Sequence, residues 1–249
     1  MPGQLRLIWR VGFVLLALIA CLPFHLISTA RGDRARWTRR YLKALAWAFG
    51  LRVRVRGQKL PRDVLMAANH LSWLDIIALG SATGGSFIAK SEIAGWPLVG
   101  WLARQAGAIF IVREARGDAR EQVDTVADAL ANRRPALLFA EGTTAGEGRL
   151  LPFRPALFAA VAPPRDARLR IQPVAIDYGV GQPVVAWPRN ETFNANAGKL
   201  LRRAGPLTVT LHFLAPIDPA GRNRKEIAAE AHAAVAAALG ASVAASDLV

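Results

Sequence analysis

The chain has 249 residues, 53% of them hydrophobic, enough to bury a substantial core in one large domain with a short N-terminal appendage. A single Cys21 excludes an intramolecular disulfide, and four scattered histidines beside one thiol offer no cluster at zinc-ligand spacing, so no metal cofactor is expected. The net charge of +14 calls for an anionic partner; no zinc finger, RRM-like aromatic run or helix-turn-helix pattern supports nucleic acid, and the basic residues crowd beside the most apolar segment, which favours membrane lipid.

That segment comes first. Val11 to Ile27 gives 17 residues without a charged side chain, reaching about 25 Å as a helix, short of a hydrocarbon core of roughly 30 Å. Pro23 is expected to interrupt it, so it is marginal as a span. "LIAC" at 18–21 loosely resembles a lipoprotein cleavage box, but the following "LPFHLI" stays apolar, which argues against a cleaved leader. In the next stretch Trp37, Tyr41, Leu45 and Phe49 recur near helical spacing among Arg36, Arg39, Arg40 and Lys43. This pattern predicts an interfacial helix with aromatics at headgroup depth; an ordinary helix packed on the domain is the competing reading. The heavier positive flank follows the apolar run, which predicts a body on the cytoplasmic side of the inner membrane. Residues 1–50 are thus assigned to membrane-anchoring helices, 51–240 to the main domain and 241–249 to a loose tail.

From residue 51, short apolar strands alternate with helical stretches. Strands are predicted at "LRVRVRG", "VLMAANH", "GSFIAK", "GAIFIVR", "PALLFAEG", "LRIQPVAIDY", "PVVAW" and "LTVTLHFLAP". Helices are predicted at "SWLDIIALG", near 98 to 105, 116 to 132, 155 to 161 and 197 to 203, and at 224 to 238, where Asn223 and Glu226 fit a capping box and Gly240 fits a stop. The fold class is α/β, a mixed, mainly parallel sheet flanked by helices, with sites expected where strands end in loops.

One such end reads "NHLSWLD", residues 69 to 75. Ser72 could cap the helix that follows, and Asp75 could simply favour its positive end. Alternatively Asp75 bonds one imidazole nitrogen of His70 and leaves the other to take a proton from a hydroxyl. The spacing then requires His70 on the loop and Asp75 in the first turn, pointing back.

The order of four segments decides between them. "ANHLSWLD", "FIAKSEIAGWPLVGWLARQAGAIFIVR", "LLFAEGTTAGEGRLLPFRPALF" and "IQPVAI" together resemble the successive blocks of the glycerolipid acyltransferase family, typified by 1-acyl-glycerol-3-phosphate acyltransferase, over about residues 51 to 178. The match includes the histidine and aspartate separated by four residues, Lys90, Glu92, Pro97, Gly100, Gly107, Phe110, Arg113, the Glu141-Gly142-Thr143 run and Pro173. The resemblance implies transfer of a fatty acyl group from acyl carrier protein or coenzyme A to a lipid hydroxyl, without a covalent acyl-enzyme. His70 and Asp75 would be the catalytic pair, and Lys90, Arg113, Glu141, Gly142, Thr143, Thr144 and Arg154 would bind substrate, most simply 1-acyl-glycerol-3-phosphate.

Two departures bear on the acceptor. The family's third block usually runs Phe-Pro-Glu-Gly-Thr-Arg, whereas Ala140 and Thr144 replace its proline and arginine here. Threonine cannot fork onto phosphate oxygens as a guanidinium does. With Ala156 in "FRPALF", the block looks more like the subgroup that acylates lyso-ornithine lipid, which is the alternative acceptor. A silent lipid-binding protein on the same fold is the alternative of another class. Arg149 reads as a solvated cation, His212 and His232 as structural, and Trp96 and Trp101 as groove or headgroup contacts.

Overall fold

The computed structural model describes residues 2–31, 35–111, 134–146, 149–188 and 190–246. Seven strands, β1 (Leu51–Arg56), β2 (Val64–Ala68), β3 (Ser86–Lys90), β4 (Ile109–Ile111), β5 (Ala136–Phe139), β6 (Arg170–Asp177) and β7 (Leu207–Phe213), form one sheet in the order β1-β7-β6-β2-β5-β3-β4. Neighbours are parallel except the antiparallel pair β6 and β7. This is the mixed, mainly parallel sheet expected from the alternation of strands and helices.

β2 lies at the centre, with Leu65 in register between Ala136 of β5 and Ile171 of β6. All five of its residues are fully buried, because both faces are covered and the strand reads as a continuous apolar run. Val64, Met66 and Ala68 pack toward α3 (Leu74–Thr83), while Leu65 and Ala67 pack toward a 3₁₀ segment (Pro155–Val161) and the C-terminal helix. Burying one leucine such as Leu65 contributes about 2 kcal/mol. Because β2, β3, β5 and β6 run in the same direction, the loops after Ala68, Lys90, Phe139 and Asp177 all open along one edge of the sheet.

The N-terminal pair differs from expectation in two ways. α1 (Gly3–Ala30) is one continuous helix through Pro23, about 42 Å long and long and apolar enough to cross a membrane. Pro23 removes a single intrahelical bond, and the stacked pair Phe24 and Trp37 (4.7 Å) holds α1 against α2 (Ala35–Ala48) just beyond it. The stripe Trp37, Tyr41, Leu45 and Phe49 packs inward rather than at headgroup depth. Leu45 and Phe49 are buried in the core, Tyr41 packs against it, and Phe49 meets Trp73 edge to face. An amphipathic helix covers the nearest apolar surface, and here that surface is α3.

Trp9 meets Trp47 at one end of the pair and Phe24 meets Trp37 at the other, so the helices run antiparallel. Arg10 fixes them to the domain: its buried guanidinium donates to the carbonyls of Ala48, Leu200 and Leu201 in the last turns of α2 and α5 (Phe193–Arg202). The outward side of α1 exposes Ile8, Leu16 and Ile19 at 66%, 64% and 69%.

Several predicted elements are corrected. "PVVAW" is no strand but a helical turn, Gln182–Val185, because Pro183 occupies its first turn and β7 already pairs beside β6. α4 spans Pro97–Gln105, as expected. The helix expected at 197 to 203 begins at Phe193, where the Thr192 hydroxyl accepts from Ala195 N–H. The segment at 155 to 161 is a 3₁₀ helix. "GAIFIVR" is described to Ile111 and pairs over β4, and its last two residues and the helix expected at 116 to 132 lie outside the described residues. α6 (Arg224–Ser246) starts at the Asn223–Glu226 capping box but passes through Gly240, since alanine carries the helix on. The supposed loose tail is therefore helical to Ser246.

Candidate active site

The site begins one residue beyond β2. Asn69, buried, donates through Nδ2 to Ile176 O (3.0 Å) and accepts through Oδ1 from Ile176 N–H (2.7 Å). Its amide so imitates a strand partner and clamps the end of β2 to the end of β6. His70 follows, its N–H donating to Glu141 Oε1 (2.9 Å) and its carbonyl accepting from Ala145 N–H (2.7 Å). The imidazole stacks on Phe139 of β5, centroids 3.8 Å apart and planes 10° from parallel.

His70 Nδ1 lies 2.9 Å from Asp75 Oδ2. Asp75 sits in the first turn of α3 and turns back, as the spacing required. Its Oδ2 also accepts from the N–H groups of Leu71 (2.7 Å) and Ser72 (2.9 Å), and its Oδ1 accepts from Tyr178 Oη–H (2.7 Å). Ser72 caps less than expected: its Oγ meets Leu74 N–H only at 3.4 Å, and Trp73 holds the N-cap position. An ionised carboxylate only accepts, so Nδ1 carries the imidazole proton and Nε2 keeps a lone pair. The Asp75 side chain is 0% exposed and that of His70 is 15% exposed. A substrate can reach the histidine and not the acid.

Glu141 supports this loop from β5. Oε1 takes the His70 N–H and Oε2 the Leu151 N–H (3.2 Å), so both oxygens are engaged by backbone. Burial pushes its carboxyl up to about 7, against the two N–H bonds that lower it and with the Asp75 charge adding to the rise. Gly142 turns the chain at φ +73°, a left-handed conformation that glycine adopts without steric cost, and Thr143 follows half-buried. Thr144 donates from its hydroxyl to Trp187 O (3.2 Å), and Trp187 N–H donates to Leu71 O (3.1 Å). Where the family pattern has an arginine, a threonine thus ties its own loop to the 186–188 loop, which in turn bonds the loop that carries His70.

The structure therefore joins His70, Asp75, Glu141 and Thr144 in one cluster. Lys90 stands at the end of β3, two strands from β2, with Glu92 at 3.8 Å. Arg154 is exposed and contributes its backbone N–H to Ala140 O. Arg113 lies outside the described residues. Arg149, read as a solvated cation, is exposed and borders a small open cleft with Asn69, Leu71, Glu141 and Gln182. Sequence reasoning missed Asn69, Phe139 and Tyr178 as parts of the site. All three stand at strand ends, where sites were expected, but only the strand order shows that β5 and β6 flank β2. Trp96 is exposed, and Trp101 is partly buried. His232 packs edge-on against Phe153.

Comparison with known proteins follows the same lines. Residues 52–177, just over half of the chain, match the Acyltransferase family model. The chain is 37% identical to a lyso-ornithine lipid O-acyltransferase of Pseudomonas aeruginosa, over 83% of this chain and 79% of that protein. It is 32% identical to one of Rhodobacter capsulatus, over 96% and 92%. A 1-acyl-sn-glycerol-3-phosphate acyltransferase of Neisseria gonorrhoeae is 39% identical over 52% of this chain and 49% of that one. In fold, the crystal structure of the 1-acyl-sn-glycerophosphate (LPA) acyltransferase PlsC of Thermotoga maritima superposes with a TM-score of 0.72 at 22% identity, covering 96% and 95% of the two chains. With the family blocks, the sheet and two relatives above 30% identity over most of their length in agreement, the chain belongs to the acyltransferase family and is itself an acyltransferase.

Proposed function

We propose that the chain transfers a fatty acyl group from a thioester to the hydroxyl of a lyso-ornithine lipid at the membrane surface, with His70 as general base. The observation that carries the chemistry is the 2.9 Å bond between His70 Nδ1 and the fully buried Asp75. In this reading Nε2 takes the proton of the acceptor hydroxyl as that oxygen attacks the thioester carbonyl. The C–S bond then breaks, and the departing thiolate recovers the proton from the imidazolium. The donor, acyl carrier protein or coenzyme A thioester, is a substrate, and no cofactor is needed. A complete His70–Asp75 pair argues against a silent lipid binder.

Two observations support the acceptor. The relatives matched over most of their length are lyso-ornithine lipid O-acyltransferases, and Thr144 uses its hydroxyl on Trp187 O where a guanidinium would be needed to fork onto phosphate. Lysophosphatidate is the second reading, favoured by the Neisseria relative and by Arg149, which brings a guanidinium to the cleft beside the His70 loop.

The exposed apolar side of α1 supports membrane association. α2 lies antiparallel along α1 and keeps Arg36, Arg40 and Lys43 exposed. A crossing α1 would carry these cations into hydrocarbon, so in this reading α1 lies in the bilayer surface.

The test is acyl transfer by the purified chain in vesicles, offering both donor types to lyso-ornithine lipid and to lysophosphatidate. Faster turnover of lyso-ornithine lipid supports the proposal, and faster turnover of lysophosphatidate replaces it with the second reading.

A further inference from the structure

We infer that Tyr178 is a positioning residue that aims Asp75 at His70, an inference resting on the proposed role of His70 as base. Tyr178 follows β6 and is 3% exposed; its hydroxyl donates to Asp75 Oδ1 at 2.7 Å. The terminal torsion of an aspartate is broad, so the side chain alone does not fix the plane in which the carboxylate meets the imidazole. Here donors on both oxygens fix it. Oδ2 gathers Leu71 N–H, Ser72 N–H and His70 Nδ1, while Oδ1 meets the phenol of Tyr178.

The phenol can hold that place because β6 is itself held. The Asn69 amide bonds both the N–H and the carbonyl of Ile176, two residues before Tyr178, and Asn69 is the residue before His70. Base, acid and phenol therefore sit on segments clamped to one another within a few residues. Burial and the neighbouring Asp75 charge push the Tyr178 hydroxyl well above its ordinary value, so it stays a donor. A tyrosine serving only to fill the core would need its ring and not its hydroxyl.

The experiment separates these roles. In vesicles, Tyr178→Phe keeps the ring, and kcat is expected to fall about 10- to 100-fold with KM for donor and acceptor within about twofold. Imidazole ¹⁵N spectra, with the His70 signals assigned by their loss in His70→Ala, should show one tautomer in the wild type and a mixture in Tyr178→Phe. An unchanged kcat and a single tautomer in the folded variant would overturn the inference.

Fluorotyrosine provides a version without loss of volume. The chain has only two tyrosines, so incorporation in a Tyr41→Phe background places fluorine on Tyr178 alone. A kcat that changes stepwise with phenol acidity at constant KM supports the role, and a flat series contradicts it. If His70→Ala stays active, the inference falls with the base; if His70→Ala is inactive and Tyr178→Phe runs at the full rate, the inference falls alone.

Discussion

Two histidines stand beside aspartates, His70 just beyond β2 and His212 within β7, equally exposed but differently held. His70 and His212 have side chains 15% exposed, yet His70 Nδ1 stands 2.9 Å from Asp75 while His212 Nε2 stands 3.9 Å from Asp177 and has no hydrogen-bond partner among the described residues. Asp75 is held by two backbone N–H groups and a phenol, whereas Asp177 turns one oxygen to Gly179 N–H and lies in the strand pair β6 and β7. Burial pushes the His212 imidazole down, with Arg56 adding to the fall and Asp177 opposing it. An acid near a histidine is thus common property of a sheet. An acid whose two oxygens are both held by donors, turned back from the first turn of a helix onto a histidine just beyond a buried strand, is arranged to orient a base.

That contrast can be broken from either side. The largest effect is expected from Asp75→Asn, which removes the charge that orients the imidazole; kcat should fall about 10²- to 10⁴-fold while vesicle binding is unchanged. Retained turnover would make Asp75 no more than a second Asp177.

Next comes Glu141, whose carboxyl joins the His70 loop to Leu151. Its folded value of about 7 lies above its ordinary 4.5. The protonated carboxyl is favoured in the fold, so this stabilising contribution is complete below about pH 4.5 and lost as pH rises through about 7. The change is on the order of 3 kcal/mol. Urea unfolding of Glu141→Gln at pH 5 and pH 8 should lack that pH-dependent loss; equal slopes in variant and wild type would show that burial does not act on this group.

The smallest effect concerns the surroundings of the first pair. Thr144→Arg should raise kcat/KM for lysophosphatidate about tenfold by restoring a phosphate fork, and no gain would mean that the acceptor is chosen elsewhere.

The distribution of what was legible in the sequence has a physical cause. The His70–Asp75 contact could be anticipated because both residues lie within one short loop, and five positions across a strand-to-helix turn leave few geometries. Alternating strands and helices likewise announced a mainly parallel sheet. Tyr178, Phe139 and Asn69 escaped because their roles depend on β5 and β6 flanking β2, a neighbour relation set by long-range packing. The stripe on α2 has a legible period but leaves lipid and the domain as competing partners, since periodicity defines an apolar face and not what covers it. Thr144 was recognised as a missing arginine, while its bond to Trp187 depended on "PVVAW" becoming a helical turn.

The most direct test of the central claim is acyl transfer to lyso-ornithine lipid in vesicles by His70→Ala and His212→Ala side by side, with vesicle binding measured on the same samples. The account predicts that His70→Ala loses turnover by about 10²-fold or more while His212→Ala stays within about twofold, both binding vesicles like the wild type. Full turnover by His70→Ala, or equal losses in the two variants, would contradict it.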